Sequence, residues 1–370
     1  MAKAKPKAKD KAATATTKAD DGGCDTQTLY NNYVKVCQSI GIEPYNDLKQ
    51  IVTTTGEQII ITGGSSNNKS PDKKLLSSGG CRALMNALVG RLEGATMEHF
   101  TSLTDLRICS SNISDCGAMA VATFLRGTAE VKKQEVIKPD SDSAPAAQPA
   151  GKLQYLDLSD NNIGNQGSLH LGRALEVGMN KTVTTLIMDF NALGSEGVAA
   201  LCKGIATNSS LKVLSLKHCN IDSMGGEPIS AMLTFKRLAL TTLDLSGNRL
   251  GGMGLNGLCK GLERNASLTT FRLADNNIRQ SDEDVAALEV FGKVLLTHSR
   301  LTEIDLNNNH IGSKGGKVLL PGIKENKIIT TFKISEIGMD EDTYKALFRV
   351  SNASKGNKGT KSKKKSAKKK

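Results

Sequence analysis

Apolar positions in this chain recur in one fixed phrase, L-x-x-L-x-L-x-x-N-x-L/I, whose clearest copy is Leu153, Leu156, Leu158, Asn161 and Ile163. Copies begin at Leu103, Leu153, Val183, Leu211, Leu240, Leu268 and Leu301, and a decayed eighth begins at Ile329. Within each copy the apolar residues alternate with polar ones, which predicts a short strand with one buried face. A glycine four residues past the last apolar position opens a helical stretch (117, 167, 197, 225, 254 and 315), with Asp282 as the exception. Most copies start 28–30 residues apart, enough for a strand, a turn and a helix of about three turns. The interval of 33 reflects a longer helix over Asp282–Thr297, and the interval of 50 contains an insertion, 129–152, rich in Ala, Pro, Ser and Lys. No unit of this size buries its own apolar face, so the units must stack into a solenoid with an extended parallel sheet.

The asparagine at the ninth position leaves the strand at a turn, where its amide satisfies backbone groups that stacking buries. Asn161, Asn191, Asn248, Asn276 and Asn309 fill this ladder, Ser111 and Cys219 substitute in it, and Ile337 ends it. Upstream, a helix capped by Asp25 buries Leu29, Tyr33, Val36 and Ile40 and stops at Gly41. A second helix falls near Asp47–Val52, a strand over Gln58–Thr62, a polar loop over Gly63–Lys74 and a helix over Gly79–Leu92. The division is therefore a disordered Lys/Ala-rich tail (1–22), an N-terminal cap with a degenerate first repeat (23–100), the repeats (101–350) and a disordered Lys-rich tail (351–370).

Charge sharpens this picture. The net +12 resides in two tails: residues 1–21 carry +3 and residues 352–370 carry +9, so the body sums to zero. No apolar run approaches the roughly 20 residues that span a bilayer, and the first residues lack a signal-peptide core. The eight cysteines include no CxxC pair and read as reduced, packed residues of an intracellular protein. Gly252, Gly254 and Gly257 match a dinucleotide-binding pattern, but Gly254 is the repeat glycine and register accounts for it. The stretch Gly63–Ser70 nearly reads as a phosphate loop, yet Asn68 stands where glycine is required and Pro71 follows. The five histidines show no metal spacing, and His218 beside Cys219 points away from it on a strand end. The sequence predicts no enzyme, no cofactor, no metal and no small-molecule substrate.

The strings Leu153-Gln-Tyr-Leu-Asp-Leu-Ser-Asp-Asn-Asn-Ile-Gly and Leu193-Gly-Ser-Glu-Gly-Val-Ala-Ala-Leu resemble the ribonuclease-inhibitor-like class of leucine-rich repeat proteins. The resemblance covers about residues 79–340 and implies an α/β horseshoe solenoid: a parallel concave sheet with outer helices, about eight repeats, an N-terminal helical cap and Lys-rich tails. The class includes enzyme inhibitors, the GTPase-activating protein of Ran, innate-immune sensor domains, actin-capping tropomodulin-like proteins and axonemal components of cilia. Tyr30-Asn-Asn-Tyr33, Cys37, Gly41-Ile-Glu-Pro44 and Leu48 are similar to the lead-in of many protist and ciliary members.

The third, fifth, seventh and eighth positions of each phrase belong on or beside the concave face. There they place nine acids (Asp105, Asp157, Asp160, Asp189, Asp244, Asp275, Glu303, Asp305, Glu336) against four bases (Arg107, Lys217, Arg272, Lys333). Tyr155, Ile187, Phe190, Val213 and His218 form an apolar patch in the middle repeats, and an apolar centre ringed by charge is how interface hot spots are built. The expected protein-binding set is Tyr155, Asp157, Ile187, Asp189, Phe190, Val213, Lys217, His218, Asp244, Arg272 and Asp305, facing a partner of basic or neutral surface. The C-terminal lysines Lys361, Lys363, Lys364, Lys365, Lys368, Lys369 and Lys370 form a separate electrostatic arm for an acidic partner such as a microtubule or nucleic acid. The reading is a non-enzymatic scaffold in the cytoplasm, with a cytoskeletal or ciliary setting favoured. The alternatives are a Ran-type GTPase activator and a nuclear, nucleic-acid-associated protein acting through its tails.

Overall fold

The computed structural model describes residues 24–63, 75–92, 95–97, 99–127 and 152–356. The predicted N-terminal tail, most of the 63–74 loop, all of the 129–152 insertion but Lys152, and the seven tail lysines lie outside these residues. The chain opens with α1 (Thr26–Ser39), α2 (Leu48–Thr55), β1 (Gln58–Thr62), α3 (Ser77–Leu88) and a small hairpin, β2 (Arg91–Leu92) with β3 (Ala95–Thr96). Eight strand–helix units follow. The first four are β4 (Asp105–Cys109) with α4 (Ser114–Arg126), β5 (Tyr155–Asp157) with α5 (Asn165–Ala174), β6 (Thr185–Ile187) with α6 (Gly194–Ile205), and β7 (Val213–Ser215) with α7 (Gly226–Leu233). The rest are β8 (Thr242–Asp244) with α8 (Gly251–Arg264), β9 (Thr270–Arg272) with α9 (Asp282–Thr297), β10 (Glu303–Leu306) with α10 (Gly312–Glu325), and β11 (Thr331–Ile334) with α11 (Glu341–Gly356).

Among the described residues, every strand except the hairpin pair joins one nine-stranded parallel sheet, in chain order from β1 to β11. Its register is set by the fourth position of the phrase: Leu106, Leu156, Leu186, Leu214, Leu243, Phe271, Ile304 and Phe332 pair in one continuous row. All of them are buried in a single core between the sheet and the layer of helices. A one-residue slip anywhere would turn a leucine out and a polar residue in, so this row fixes the stack. β1 pairs with β4 and supplies Ile59 and Ile61 to the same core, which makes the N-terminal segment the first turn of the solenoid.

The asparagine ladder forms as the pattern requires. Asn191 Nδ2 donates to the carbonyls of Leu158 and Met188 (both 2.9 Å), and its Oδ1 accepts from the amides of Asn161 (3.0 Å) and Ile163 (2.9 Å) in the preceding unit. One side chain thus ties two repeats together in a buried turn. Cys219 keeps the donor half of the ladder, its Sγ lying 3.2 Å from the Met188 carbonyl. The repeat glycines sit where the helix start presses on the last apolar residue of the phrase. A Cβ on Gly167 would lie 2.6 Å from Ile163 Cγ2 and 2.9 Å from the Ala118 Cβ of the neighbouring helix. At Asp282 the chain enters the helix differently: Ser281 caps α9 by accepting from the Asp284 amide, and the Asp284 carboxylate reaches back to the Gly252 amide at 2.6 Å.

Three helices differ in extent from those read in the sequence. The helix expected over Gly79–Leu92 ends at Leu88, because Gly90 takes a left-handed conformation (φ +67°) and turns the chain into the β2–β3 hairpin. The second helix runs on to Thr55. The last helix continues to Gly356 and so takes in 351–356, which the sequence assigns to the Lys-rich tail.

Candidate functional site

The open face of the sheet is built from the third and fifth positions of each phrase, which flank the buried residue of the strand. Its charges are largely matched within the face. Arg107 pairs with Asp105 (3.3 Å), Lys217 with Asp189 (3.0 Å), Arg272 with Glu303 (3.0 Å) and Asp244 (3.6 Å), and Lys333 with Asp305 (3.2 Å) and Glu303 (3.8 Å). All four predicted bases are therefore engaged. Among the described residues the carboxylates of Asp157, Asp160, Asp275 and Glu336 have no such ion pair; Asp157 accepts instead from the amide and hydroxyl of Ser159.

This pairing changes the standing of three predicted site residues. Asp189, Asp244 and Asp305 are buried, whereas the sequence reading has them open to a partner. A buried carboxylate needs donors, and each finds them next door. Asp189 accepts from the Ser215 hydroxyl (2.6 Å), the Lys217 amide (2.9 Å) and the Lys217 ammonium. Asp244 and Asp305 accept from the amides of Ser246 and Asn307, both at 3.0 Å. These acids brace the strand exits. Burial works against the Lys217 ammonium, but its hydrogen bond and charge pairing with Asp189 outweigh it and hold its pKa above the ordinary lysine range.

The predicted apolar patch divides into two parts. Tyr155 lies under the Arg107 guanidinium, 4.3 Å from ring centroid to Cζ, and partial burial, with Asp157 nearby, raises its phenol pKa. Phe190 and His218 form the second part: their rings stack at 4.6 Å with 13° between planes. Ile187 and Val213 stand half-buried on the adjoining strands.

The eighth position of the phrase holds a feature that apolar periodicity does not show. Ser110, Asp160, Phe190, His218, Asp275 and Asn308 all adopt left-handed backbone conformations, φ between +49° and +58°, as does Gly247 at +72°. The strand turns sharply here, and the eighth residue of the first seven units is set out along one ledge. Asn, Asp and Gly tolerate this conformation; a phenylalanine does so at a cost of about 1–2 kcal/mol. Phe190 nonetheless occupies it and is 57% exposed. Gly247 makes room for the ring beyond it: a Cβ there would fall 2.2 Å from His218 Cε1. Phe190, His218 and Gly247 thus form an aromatic shelf across three consecutive repeats. The available signal was the spread of Ser, Asp, Asn and Gly at one fixed offset, which marks a turn.

Models of the leucine-rich repeat family match residues 152–168, 180–202, 207–230, 239–260 and 298–320. The chain is 36% identical over 158 residues to the human (Homo sapiens) NACHT, LRR and PYD domains-containing protein 12, covering 42% of this chain and 14% of that protein. It is 26% identical over 233 residues to the pig (Sus scrofa) ribonuclease inhibitor, covering 62% of this chain and 44% of the inhibitor. The chain therefore spans less than half the length of either relative. Among solved structures it is similar to leiomodin-1 actin-binding site 2, at 15% identity and a TM-score of 0.33, over 52% of this chain and 90% of that one. The phrase, the nine-stranded parallel stack and its asparagine ladder agree with the family-model and relative matches: the chain carries leucine-rich repeats in a solenoid similar to that of the ribonuclease-inhibitor-like class.

Proposed function

We propose that this protein is a scaffold that holds a protein partner against the concave sheet, with the Phe190–His218 shelf as its anchor and without a catalytic step of its own. Leucine-rich repeat proteins generally act as protein-binding scaffolds. The observation that carries the finer reading is the exposed phenylalanine in left-handed backbone. An exposed ring in an unfavourable conformation does nothing for folding, and strain retained at a surface position marks a place where the side chain is used. Stacked rings, with half-buried Ile187 and Val213 on the strands of the same two units, supply the apolar centre of an interface, and Asp157, Asp160 and Asp275 supply acidic groups that suit a partner of neutral or basic surface. The C-terminal lysines complete the reading as an arm toward an acidic assembly, for which a cytoskeletal or ciliary setting is favoured.

The test uses Phe190→Gly in the full chain. Glycine relieves the left-handed backbone, so the variant is expected to melt no lower than the parent while capture of the partner falls roughly tenfold or more, as for a hot-spot aromatic. Partner capture that is unchanged in Phe190→Gly, measured beside Met253→Ala on an outer helix, removes the shelf from the interface.

A further inference from the structure

Resting on the reading of the concave face as a docking surface, we infer that this face has a resident occupant, the chain's own C-terminal segment 357–370, which an external partner must displace. The segment carries eight lysines and no acid. The face it would meet has spent its own cations: Arg107, Lys217, Arg272 and Lys333 are all engaged in ion pairs. What remains exposed is acidic, namely Asp160 on the β5 unit and Asp275 on the β9 unit along the ledge, with the Phe190 ring between them, and Glu336 at the corresponding position of the β11 unit. A lysine ammonium is attracted to each of these, to a carboxylate by charge and to the ring face by its quadrupole.

Geometry permits the encounter. The segment begins where α11 ends, and α11 packs on α10 and β11 at the last unit of the solenoid. Fourteen residues reach about 48 Å at full extension, and nine strands spaced about 4.8 Å apart span about 38 Å. Every carboxylate of the ledge is thus within reach of the tether. Tethering also keeps the local concentration of lysine in the millimolar range, so contacts that are individually weak are sustained. A partner that binds through the aromatic shelf competes with this segment, and the tail sets a threshold for binding by diffuse charge.

The experiment is zero-length carbodiimide coupling of the full chain at low salt, followed by peptide mapping of the monomer. The expected result is that lysines of 357–370 are joined mainly to Asp160, Asp275 and Glu336. The yield should drop roughly five-fold or more at high salt and in the triple variant Asp160→Asn, Asp275→Asn, Glu336→Gln. Coupling spread evenly over carboxylates of the outer helices such as Glu196 and Glu263, or coupling indifferent to the triple variant, overturns the inference. Both readouts are independent of any partner. A shelf that fails the Phe190→Gly test while the cross-links stand refutes the docking anchor alone; cross-links that fail while Phe190→Gly loses its partner refute the resident tail alone.

Discussion

Single residues in this molecule are legible mainly through what their counterparts do one repeat away. Asn208 and Asn265 close each helix–strand turn: Oδ1 accepts from the amides two and three residues on, and Nδ2 donates to Leu175 and Leu233 in the preceding unit. Asn326 donates likewise to Leu295. His298 takes this place in its own turn. Its Nδ1 accepts from the amides of Arg300 and Leu301, but Nε2 is buried with no hydrogen-bond partner. Burial lowers its pKa below the ordinary histidine value. The unfolded chain therefore binds the proton first, so the contribution of this site to stability is full above about pH 6.5 and lost as pH falls. His298→Asn restores the missing donor and removes the titration. It is expected to stabilise the fold by about 1 kcal/mol near neutral pH and by more in mild acid. Thermal melts of both proteins across that range check it; a variant that tracks the parent at every pH contradicts the assignment.

At the scale of elements, the outer helices stack through small residues that let backbones approach. Gly204 on α6 faces Gly172 on α5 so closely that a Cβ would lie 2.0 Å from the Gly172 carbonyl oxygen. Neither partner can yield, since the contact is backbone against backbone. Gly204→Ala gains helix propensity of about 1 kcal/mol but must push the two helices apart, at a cost of about 1–3 kcal/mol. A net loss in melting temperature is expected, with the sheet register unchanged. Chemical denaturation with an unaltered or raised midpoint would show that the helix layer has slack here. The strands leave no such choice, because their leucines meet residue for residue along the whole stack.

The described residues form a line of units that pack on their neighbours, and stability in such a stack is shared by nearest-neighbour contacts. The cysteines report on it. Burial pushes the thiols of Cys81, Cys202, Cys219 and Cys259 up to about 12, while Cys116 on α4 is exposed. A thiol-alkylating reagent near neutral pH is expected to modify Cys116 first and to reach Cys202, Cys219 and Cys259 only on unfolding, all three together. Mass spectrometry along a denaturant series follows each site, and separate labelling midpoints would mean that the central repeats open one at a time. No helix among the described residues is long and apolar enough to cross a membrane.

Periodicity alone determined the architecture, because a phrase of inward leucines and one turn asparagine at a fixed spacing has a single way to bury itself. It also located the concave face and the acids and rings upon it. Tertiary structure decided which of those groups remain available. Asp189, Asp244 and Asp305 read as surface acids in one dimension, yet neighbouring strands bring serine hydroxyls, amides and cations that consume them. The left-handed turn at the eighth position, which lifts Phe190 out and lays His218 beside it, likewise depends on how the chain leaves the strand. A pattern of residue types records which side of a strand is wet, whereas partners and backbone handedness are set by the neighbours that stacking supplies.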